Sequence, residues 1–176
     1  MNRQKHVAST QQFCLESSAG RQGLDLSVLF VSSSLGELTE AQRQQISPHA
    51  LAYIGDAVYE LYIRTYYLFP LKRLQDYHGQ VVSQVRAESQ ARHLQILQPC
   101  LTPLELEIVR RGRNAASKSS RRIDPVLYQQ ATGLEALLGY LYLCDPQRLS
   151  QLLSQLQLGE ATDSPAVPIA HPPTSS

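Results

Sequence analysis

The chain has 176 residues, of which 43% are hydrophobic, and this is enough for one globular domain with a sizeable core. Its formal net charge of +1 does not by itself indicate a polyanionic partner. There is no stretch of about 18 consecutive apolar residues and no apolar signal-peptide segment after Arg3 and Lys5, so we expect neither a membrane-spanning nor an exported protein.

The three cysteines, Cys14, Cys100 and Cys144, are odd in number and far apart. Their spacing is neither that of a zinc site nor that of a disulfide framework. We therefore expect reduced cysteines and a cytoplasmic protein with no membrane partner.

Two segments without sustained periodicity flank the rest of the chain. Residues 1–45 mix Gln, Ser and Gly and predict a flexible N-terminal extension, with one short helix over 37–46. Residues 159–176 are rich in Pro, Ser and Thr and predict a disordered tail. The predicted domain is residues 46–158, which also hold the excess of positive charge, with 12 Lys and Arg against 9 Asp and Glu.

Five helices are predicted in this domain, and no segment alternates convincingly as a strand does. Ser47 precedes a proline, which is typical of a helix start, and Thr102 begins a capping box. Pro125 and Pro146 begin two further helices. The predicted helices span residues 48–67, 71–97, 103–111, 125–143 and 147–157. The fold class is therefore expected to be all-α, a compact helical bundle.

The first predicted helix carries acids in an otherwise apolar sequence. Between residues 50 and 63 only Asp56 and Glu60 are charged, and their spacing of four residues places them on one face. Gly55 leaves room for a close approach to Asp56. A carboxylate in such a place needs a basic partner or a metal ion. For Glu60 the neighbouring Arg64 favours an ion pair, whereas for Asp56 a metal is favoured.

The fourth predicted helix repeats the pattern, because Glu135 is its only charged residue. Gly133 and Gly139 lie near it, and each costs a helix interior about 1 kcal/mol relative to Ala, which indicates a packing or access requirement. We expect Asp56 and Glu135 to share a site. Two carboxylates completed by water and phosphate oxygens suit Mg²⁺, which would activate water for phosphodiester hydrolysis.

A basic segment over residues 110–122 contains six basic residues and no acidic one. Because it lies between two predicted helices, we expect an exposed loop that binds a polyanion, the alternative being a merely solubilising loop. The second helix adds hydrogen-bonding groups that suit sugar hydroxyls and phosphates of RNA, and these are Ser83, Gln84, Arg86, Ser89, Gln90, Arg92 and His93. The segment's expected RNA contacts are Arg110, Arg111, Arg113, Asn114, Lys118, Arg121 and Arg122.

Three segments carry a family pattern. Residues 50–60 read ALAYIGDAVYE, residues 110–115 read RRGRNA, and residues 132–141 read TGLEALLGYL. Within about residues 46–157 they resemble, in order, the signature helix, the basic loop and the Glu-containing motif of the ribonuclease III superfamily in its mini-ribonuclease III form.

This resemblance implies an all-α endonuclease domain that forms a homodimer with two active sites along one positively charged valley. It implies that Asp56 and Glu135 are catalytic carboxylates that bind Mg²⁺. It also implies that each protomer cuts one strand of double-stranded RNA, leaving 5′-phosphate and 3′-hydroxyl ends. The implied cellular task is maturation of the 23S ribosomal RNA precursor.

The chain departs from the pattern of full-length ribonuclease III at Thr132, His49 and Ala52, where that enzyme carries acids, so the number of metals per site stays open. Asp124 could supply a ligand or cap the fourth helix, and the cap is favoured. No double-stranded-RNA-binding domain follows residue 157, so RNA affinity is expected to come from the catalytic domain and its loop.

Two alternative functions remain at this point. One is a non-catalytic helical dimer that binds double-stranded RNA without hydrolysing it, although the presence of both Asp56 and Glu135 argues against this. The other is a protein-interaction module whose basic segment binds an acidic protein.

Overall fold

The computed structural model describes residues 39–116 and 124–158. These residues form seven α-helices and a short 3₁₀ helix, Gln98–Cys100, with the turns that join them. These residues contain no strand, and the expected all-α class is confirmed. The helices are α1 (Glu40–Gln45), α2 (Pro48–Tyr67), α3 (Leu74–Val85), α4 (Ala87–Leu97), α5 (Pro103–Ala115), α6 (Pro125–Cys144) and α7 (Pro146–Ser154).

Some sequence predictions lie outside the described residues. These are most of the flexible extension, at residues 1–38, and the disordered tail, at residues 159–176. Lys118, Arg121 and Arg122 of the basic segment also lie outside them. The short helix predicted over residues 37–46 is α1.

Capping side chains begin four helices where the local sequence predicts them. Ser47, Thr102, Asp124 and Asp145 each accept a hydrogen bond from a backbone N–H in the first turn of the helix that follows. A proline occupies the first position of each helix, where its missing N–H costs no hydrogen bond. The starts of α2, α5, α6 and α7 are therefore local features.

The prediction of one helix over residues 71–97 is wrong, because that segment is divided into α3 and α4 at Arg86. Arg86 has an extended backbone with ψ of 152°. Its carbonyl accepts hydrogen bonds from the backbone N–H groups of Ser89 and Gln90, and the Ser89 hydroxyl donates to the Ser83 carbonyl at 2.7 Å. These bonds start a new helix, and α4 packs against α6.

The predicted basic loop begins inside a helix, because α5 continues to Ala115 and does not end near residue 111. Gly112 lies in close contact with α6, since a Cβ added there would be 2.6 Å from Ala136 Cβ. This packing supports the last turns of α5. The helical residues of the basic segment are accordingly Arg110, Arg111, Arg113 and Asn114.

Helix α6 is the centre of the core and packs against α2, α4, α5 and α7. Its leucines pack with α2 and α7, and the fully buried members are Leu134, Leu137, Leu138, Tyr59, Ile63, Leu149, Leu152 and Leu153. A helix that is buried on several sides is expected to be apolar nearly all round, as α6 is. No helix within the described residues is both long and apolar enough to cross a membrane.

Two of the three cysteines lie in the described part of the chain. Cys144 is not part of a disulfide. Cys100 is disulfide-bonded, so the expectation that the cysteines are all reduced is wrong for this residue. Spacing along the chain did not indicate it, because a disulfide depends on which distant segments meet in the fold.

A buried ion pair joins the start of α5 to α7. Arg148 Nε donates to Glu105 at 2.8 Å, and its Nη2 donates to the Cys100 carbonyl at 2.7 Å. Glu105 is 4% exposed, and its hydrogen bonds to Arg148 and Thr102 lower the pKa of its carboxyl despite burial. A buried carboxylate that loses such a partner becomes an uncompensated charge.

We expect Arg148→Ala to lower the free energy of unfolding by roughly 3 kcal/mol, because Glu105 would stay buried without its cation. Urea denaturation at neutral pH measures this loss. The matched control is Arg110→Ala, which breaks an exposed pair with Glu107 and should cost less than about 1 kcal/mol. Equal losses in the two variants would contradict the importance of burial.

Candidate active site

The backbones of α2 and α6 touch where two glycines face each other. A Cβ added to Gly55 would lie 1.7 Å from the Glu135 carbonyl oxygen, and one added to Gly139 would lie 2.0 Å from the Leu51 carbonyl oxygen. Any side chain at either position would force the helices apart. The space at Gly55 is therefore filled by the α6 backbone, whereas the sequence suggested that Gly55 leaves it open for a close approach to Asp56.

This crossing brings the Asp56 and Glu135 carboxyls close enough to interact electrostatically. Burial, followed by the negative charge of Asp56, raises the pKa of Glu135 to about 7. The pKa of Asp56 is also raised, first by burial and then by the charge of Glu60. Both shifts show that the site disfavours its own negative charge when no cation is bound.

Neither carboxylate has a Lys or Arg ion-pair partner within residues 39–116 and 124–158. Glu60 differs, because Arg64 Nε donates to its carboxylate at 3.2 Å. The predicted Glu60–Arg64 pair is thus confirmed. Asp56 and Glu135 are left as two uncompensated acids on crossing helices.

Asp124 does not join this pair. Its Oδ1 accepts a hydrogen bond from Val126 N at 2.8 Å, which confirms the predicted helix cap. Glu135 is eleven residues further along the same helix, about 16 Å at 1.5 Å per residue. Asp124 therefore cannot ligate an ion held by Glu135.

The donor set of the site fits a hard divalent cation. The described residues contain no group of three or more His, Cys, Asp and Glu placed to hold a metal. Thr132, which replaces a family acid, is buried and donates its hydroxyl to the Tyr128 carbonyl at 3.0 Å. Two carboxylates alone suit Mg²⁺, which keeps several waters and takes further oxygens from a phosphate substrate.

The expected RNA contacts in α5 differ in exposure and in pairing. Arg113 packs against Gly133 of α6, since a Cβ added to Gly133 would lie 2.8 Å from Arg113 Cγ. Arg113 itself is exposed. Arg110 is instead paired with Glu107. Arg111 is partly exposed and Asn114 is exposed.

The polar residues around the α3–α4 break divide into two groups. Arg86 is exposed at the break, and the partly exposed Ser83 donates its hydroxyl to the Gln80 carbonyl at 2.7 Å. Arg92 is exposed as well. The expectation of RNA contacts is wrong for four buried residues, which are Gln84, Ser89, Gln90 and His93.

Gln90 is a site residue that the sequence interpretation placed on the wrong face. It is 2% exposed, and its side chain lies close enough to the Glu135 carboxyl to lower the pKa of that group, against the larger effects of burial and Asp56. The pattern held a signal, because Gln90, Leu94 and Leu97 recur at the i, i+4 and i+7 spacing of one helix face. A polar residue in register with buried leucines indicates a buried polar contact.

Comparisons with known proteins identify the family of the chain. The ribonuclease III domain family matches residues 49–146. A Mini-ribonuclease 3 from Synechocystis sp. is 57% identical over 129 residues, which cover 73% of this chain and 90% of the relative. A Mini-ribonuclease 3 from Gloeobacter violaceus is 47% identical over 128 residues, covering 71% of this chain and 95% of the relative.

A solved structure is similar as well. The crystal structure of a protein from Fusobacterium nucleatum superposes with a TM-score of 0.54 at 31% sequence identity. The match covers 57% of this chain and 83% of that protein. It extends the likeness from the sequence to the arrangement of the helices.

We expect Glu135→Gln to stabilise the metal-free protein at pH 8 by roughly 2–3 kcal/mol. Folding raises the pKa of this carboxyl from 4.5 to about 7, so its charge costs nothing below pH 4.5 and the full amount above pH 7. Urea denaturation in EDTA across pH 4.5–8 should show the advantage of the variant growing with pH.

The control is Glu107→Gln, at an exposed glutamate whose pKa is lowered by its hydrogen bond to Arg110. It should show no gain at pH 8. A Glu135→Gln protein with the same pH dependence of stability as the wild type would contradict the electrostatic account of the site.

Proposed function

The chain belongs to the ribonuclease III domain family and is an endoribonuclease of the mini-ribonuclease III type, and from this premise we propose that it hydrolyses double-stranded RNA with Mg²⁺ as cofactor. The observation that carries the proposal is the pair Asp56 and Glu135. They meet at the α2–α6 crossing without a basic partner among the described residues, and a divalent cation would relieve their repulsion.

In the proposed mechanism, Asp56 and Glu135 would hold Mg²⁺ through their carboxylates. When bound, the ion supplies a water of lowered pKa and neutralises charge that develops on the phosphate. Glu135 must give up its proton to act as a ligand, and the raised pKa makes that loss of a proton part of metal binding. Attack of water on the phosphorus would break the bond between phosphorus and the 3′-oxygen. The departing 3′-oxygen takes up a proton, which leaves a 5′-phosphate end and a 3′-hydroxyl end.

The proposed RNA surface consists of residues from α5, from the α3–α4 break and from the basic segment that follows α5. Arg113 extends from its packing site on Gly133, and Arg111 and Asn114 lie on the same last turns of α5. Arg86 and Ser83 contribute from the α3–α4 break. On sequence grounds, the proposed surface also includes the basic residues that follow α5 in the chain, which are Lys118, Arg121 and Arg122. Because Arg110 is paired with Glu107, it is the least available member of the predicted set.

We also propose that the protein is a homodimer formed through the outer face of α2. Tyr53, Leu61 and Leu68 are spaced by eight and seven residues, so they share one face, and they are 83%, 44% and 42% exposed. The opposite face of α2 packs on α6. Asp56 is three residues from Tyr53 and lies beside the exposed apolar face, so a dimer through it would bring two sites near each other.

The proposed cellular task is maturation of the 23S ribosomal RNA precursor in the cytoplasm. Its support is the resemblance of the three sequence motifs and the match to relatives named Mini-ribonuclease 3. The rival of a non-catalytic RNA-binding dimer is distinguished by the cleavage experiment below.

We expect Asp56→Asn and Glu135→Gln each to lower the rate of cleavage of an RNA duplex in Mg²⁺ by more than about 100-fold. Loss of a group that merely supports a metal ligand typically costs about 10- to 100-fold, so loss of a ligand should cost more. A labelled duplex with single-turnover kinetics measures the rate, and EDTA should abolish cleavage by the wild type.

The matched control is Glu60→Gln, which removes an acid from the same helix face but one already paired with Arg64. It should retain cleavage, and a duplex of DNA should not be cut, since only RNA offers 2′-hydroxyls in A-form geometry. If the wild type binds the RNA duplex but does not cut it, whichever divalent cation is added, the RNA-binding alternative replaces the nuclease proposal.

For the dimer, we expect Tyr53→Asp to raise the dissociation constant at least about 10-fold, because a central exposed tyrosine is a typical interface hot spot. Sedimentation velocity over a dilution series measures it. Tyr53→Phe keeps the ring and should leave the dimer intact. A wild type that is monomeric at high concentration would contradict the homodimer.

A further inference from the structure

We propose that Gln90 is a positioning residue, which holds the Glu135 carboxylate in the orientation that meets Asp56 across the α2–α6 crossing. Gln90 is 2% exposed on α4, which packs against α6, and its side chain lies close enough to the Glu135 carboxyl to act on the pKa of that group. The inference rests on the proposed function, because it assigns a role to Gln90 in the metal site of that function.

The direction of Gln90 is set by the break between α3 and α4. In a continuous helix the Ser83 and Gln84 carbonyls would accept the N–H groups of residues 87 and 88. At the break, the Ser89 hydroxyl donates to the Ser83 carbonyl at 2.7 Å, and the Tyr59 hydroxyl donates to the Gln84 carbonyl at 2.9 Å. The Ser83 and Gln84 carbonyls thus keep hydrogen-bond partners although the helix ends there, and α4 can continue in a different direction from α3.

The same network joins α4 to the helix that carries Asp56. Tyr59 lies three residues after Asp56, and its hydroxyl oxygen is 2.8 Å from His93 Nδ1. Since the single hydroxyl proton of Tyr59 goes to the Gln84 carbonyl, His93 must donate from Nδ1. His93 lies three residues after Gln90 on α4. The buried hydrogen bonds of Tyr59 therefore join the helix that carries Gln90 to the helix that carries Asp56.

Gln90 acts through Glu135, because a side chain buried to this degree does not reach RNA. A neutral amide keeps its N–H donors at every pH, and it can hold a carboxylate without adding a charge that competes with a cation. Groups that orient metal ligands in this way typically change metal affinity by about 10- to 100-fold when they are removed.

The test uses Gln90→Met, which keeps the length of the side chain and removes the donor. The probe is Mn²⁺, titrated into the full chain without RNA and followed by electron paramagnetic resonance. We expect the Mn²⁺ dissociation constant to rise about 10- to 100-fold. In cleavage assays, the Mg²⁺ concentration for half-maximal rate should rise similarly while KM for the RNA duplex stays near the wild-type value.

The matched control is Gln84→Met. Gln84 is also a buried glutamine near the break, but its side chain acts on the pKa of Tyr67 and not on that of Glu135. It should lose stability without a change in Mn²⁺ affinity, because a merely structural role does not move metal binding. If Gln90→Met does not fold, Gln90→Leu takes its place, since leucine can pack with Leu94 and Leu97.

Unchanged Mn²⁺ affinity in the folded Gln90 variant, or equal changes in the Gln84 variant, would overturn the inference. So would a wild type that binds no Mn²⁺. The proposed function fails separately, when the wild type binds Mn²⁺ but cuts no RNA duplex, and the comparison of Mn²⁺ affinities then still decides the role of Gln90.

Discussion

The direct backbone contact between α2 and α6 is the constraint on which the site depends. Gly55 and Gly139 face each other there, and neither position has room for a Cβ. Each glycine weakens its own helix by about 1 kcal/mol relative to alanine, a cost that the close packing of two apolar helices must offset. In return, Asp56 and Glu135 come from segments almost eighty residues apart and stand side by side on rigid elements.

Glu105 and Glu135 differ in whether a cation lies beside them, and the pKa values of their carboxyls shift in opposite directions. Glu105 is bonded to Arg148 and Thr102, and its pKa is lowered. Glu135 has an acid as its charged neighbour, and its pKa is raised to about 7. Glu105 stabilises the junction of α5 and α7. Glu135 instead contributes an electrostatic repulsion, which a divalent cation bound beside it would relieve. The core around α6 has to stabilise the fold against this repulsion.

The polar residues beneath the site connect the fold to its chemistry. The break at Arg86 turns α4 toward α6, and Tyr59 and Ser89 provide partners for the carbonyls that the break releases. Burial lowers the pKa of His93 to about 4, so its ring stays neutral at neutral pH and adds no charge that would repel a cation. Buried polar networks of this kind favour one arrangement of helices over others of similar packing.

The sequence by itself determined what depends on residues within one helical turn of each other. Proline and capping side chains begin α2, α5, α6 and α7, the pair Glu60–Arg64 forms at i and i+4, and Asp124 caps α6. The same local reading singled out Asp56 and Glu135 as charges in apolar helices. Only the tertiary structure decided the break at Arg86, the extension of α5 past residue 111, the bond of Cys100 and the inward direction of Gln90. Each of these depends on contacts between segments far apart in the chain, and local propensity carries no information about which distant segments will meet.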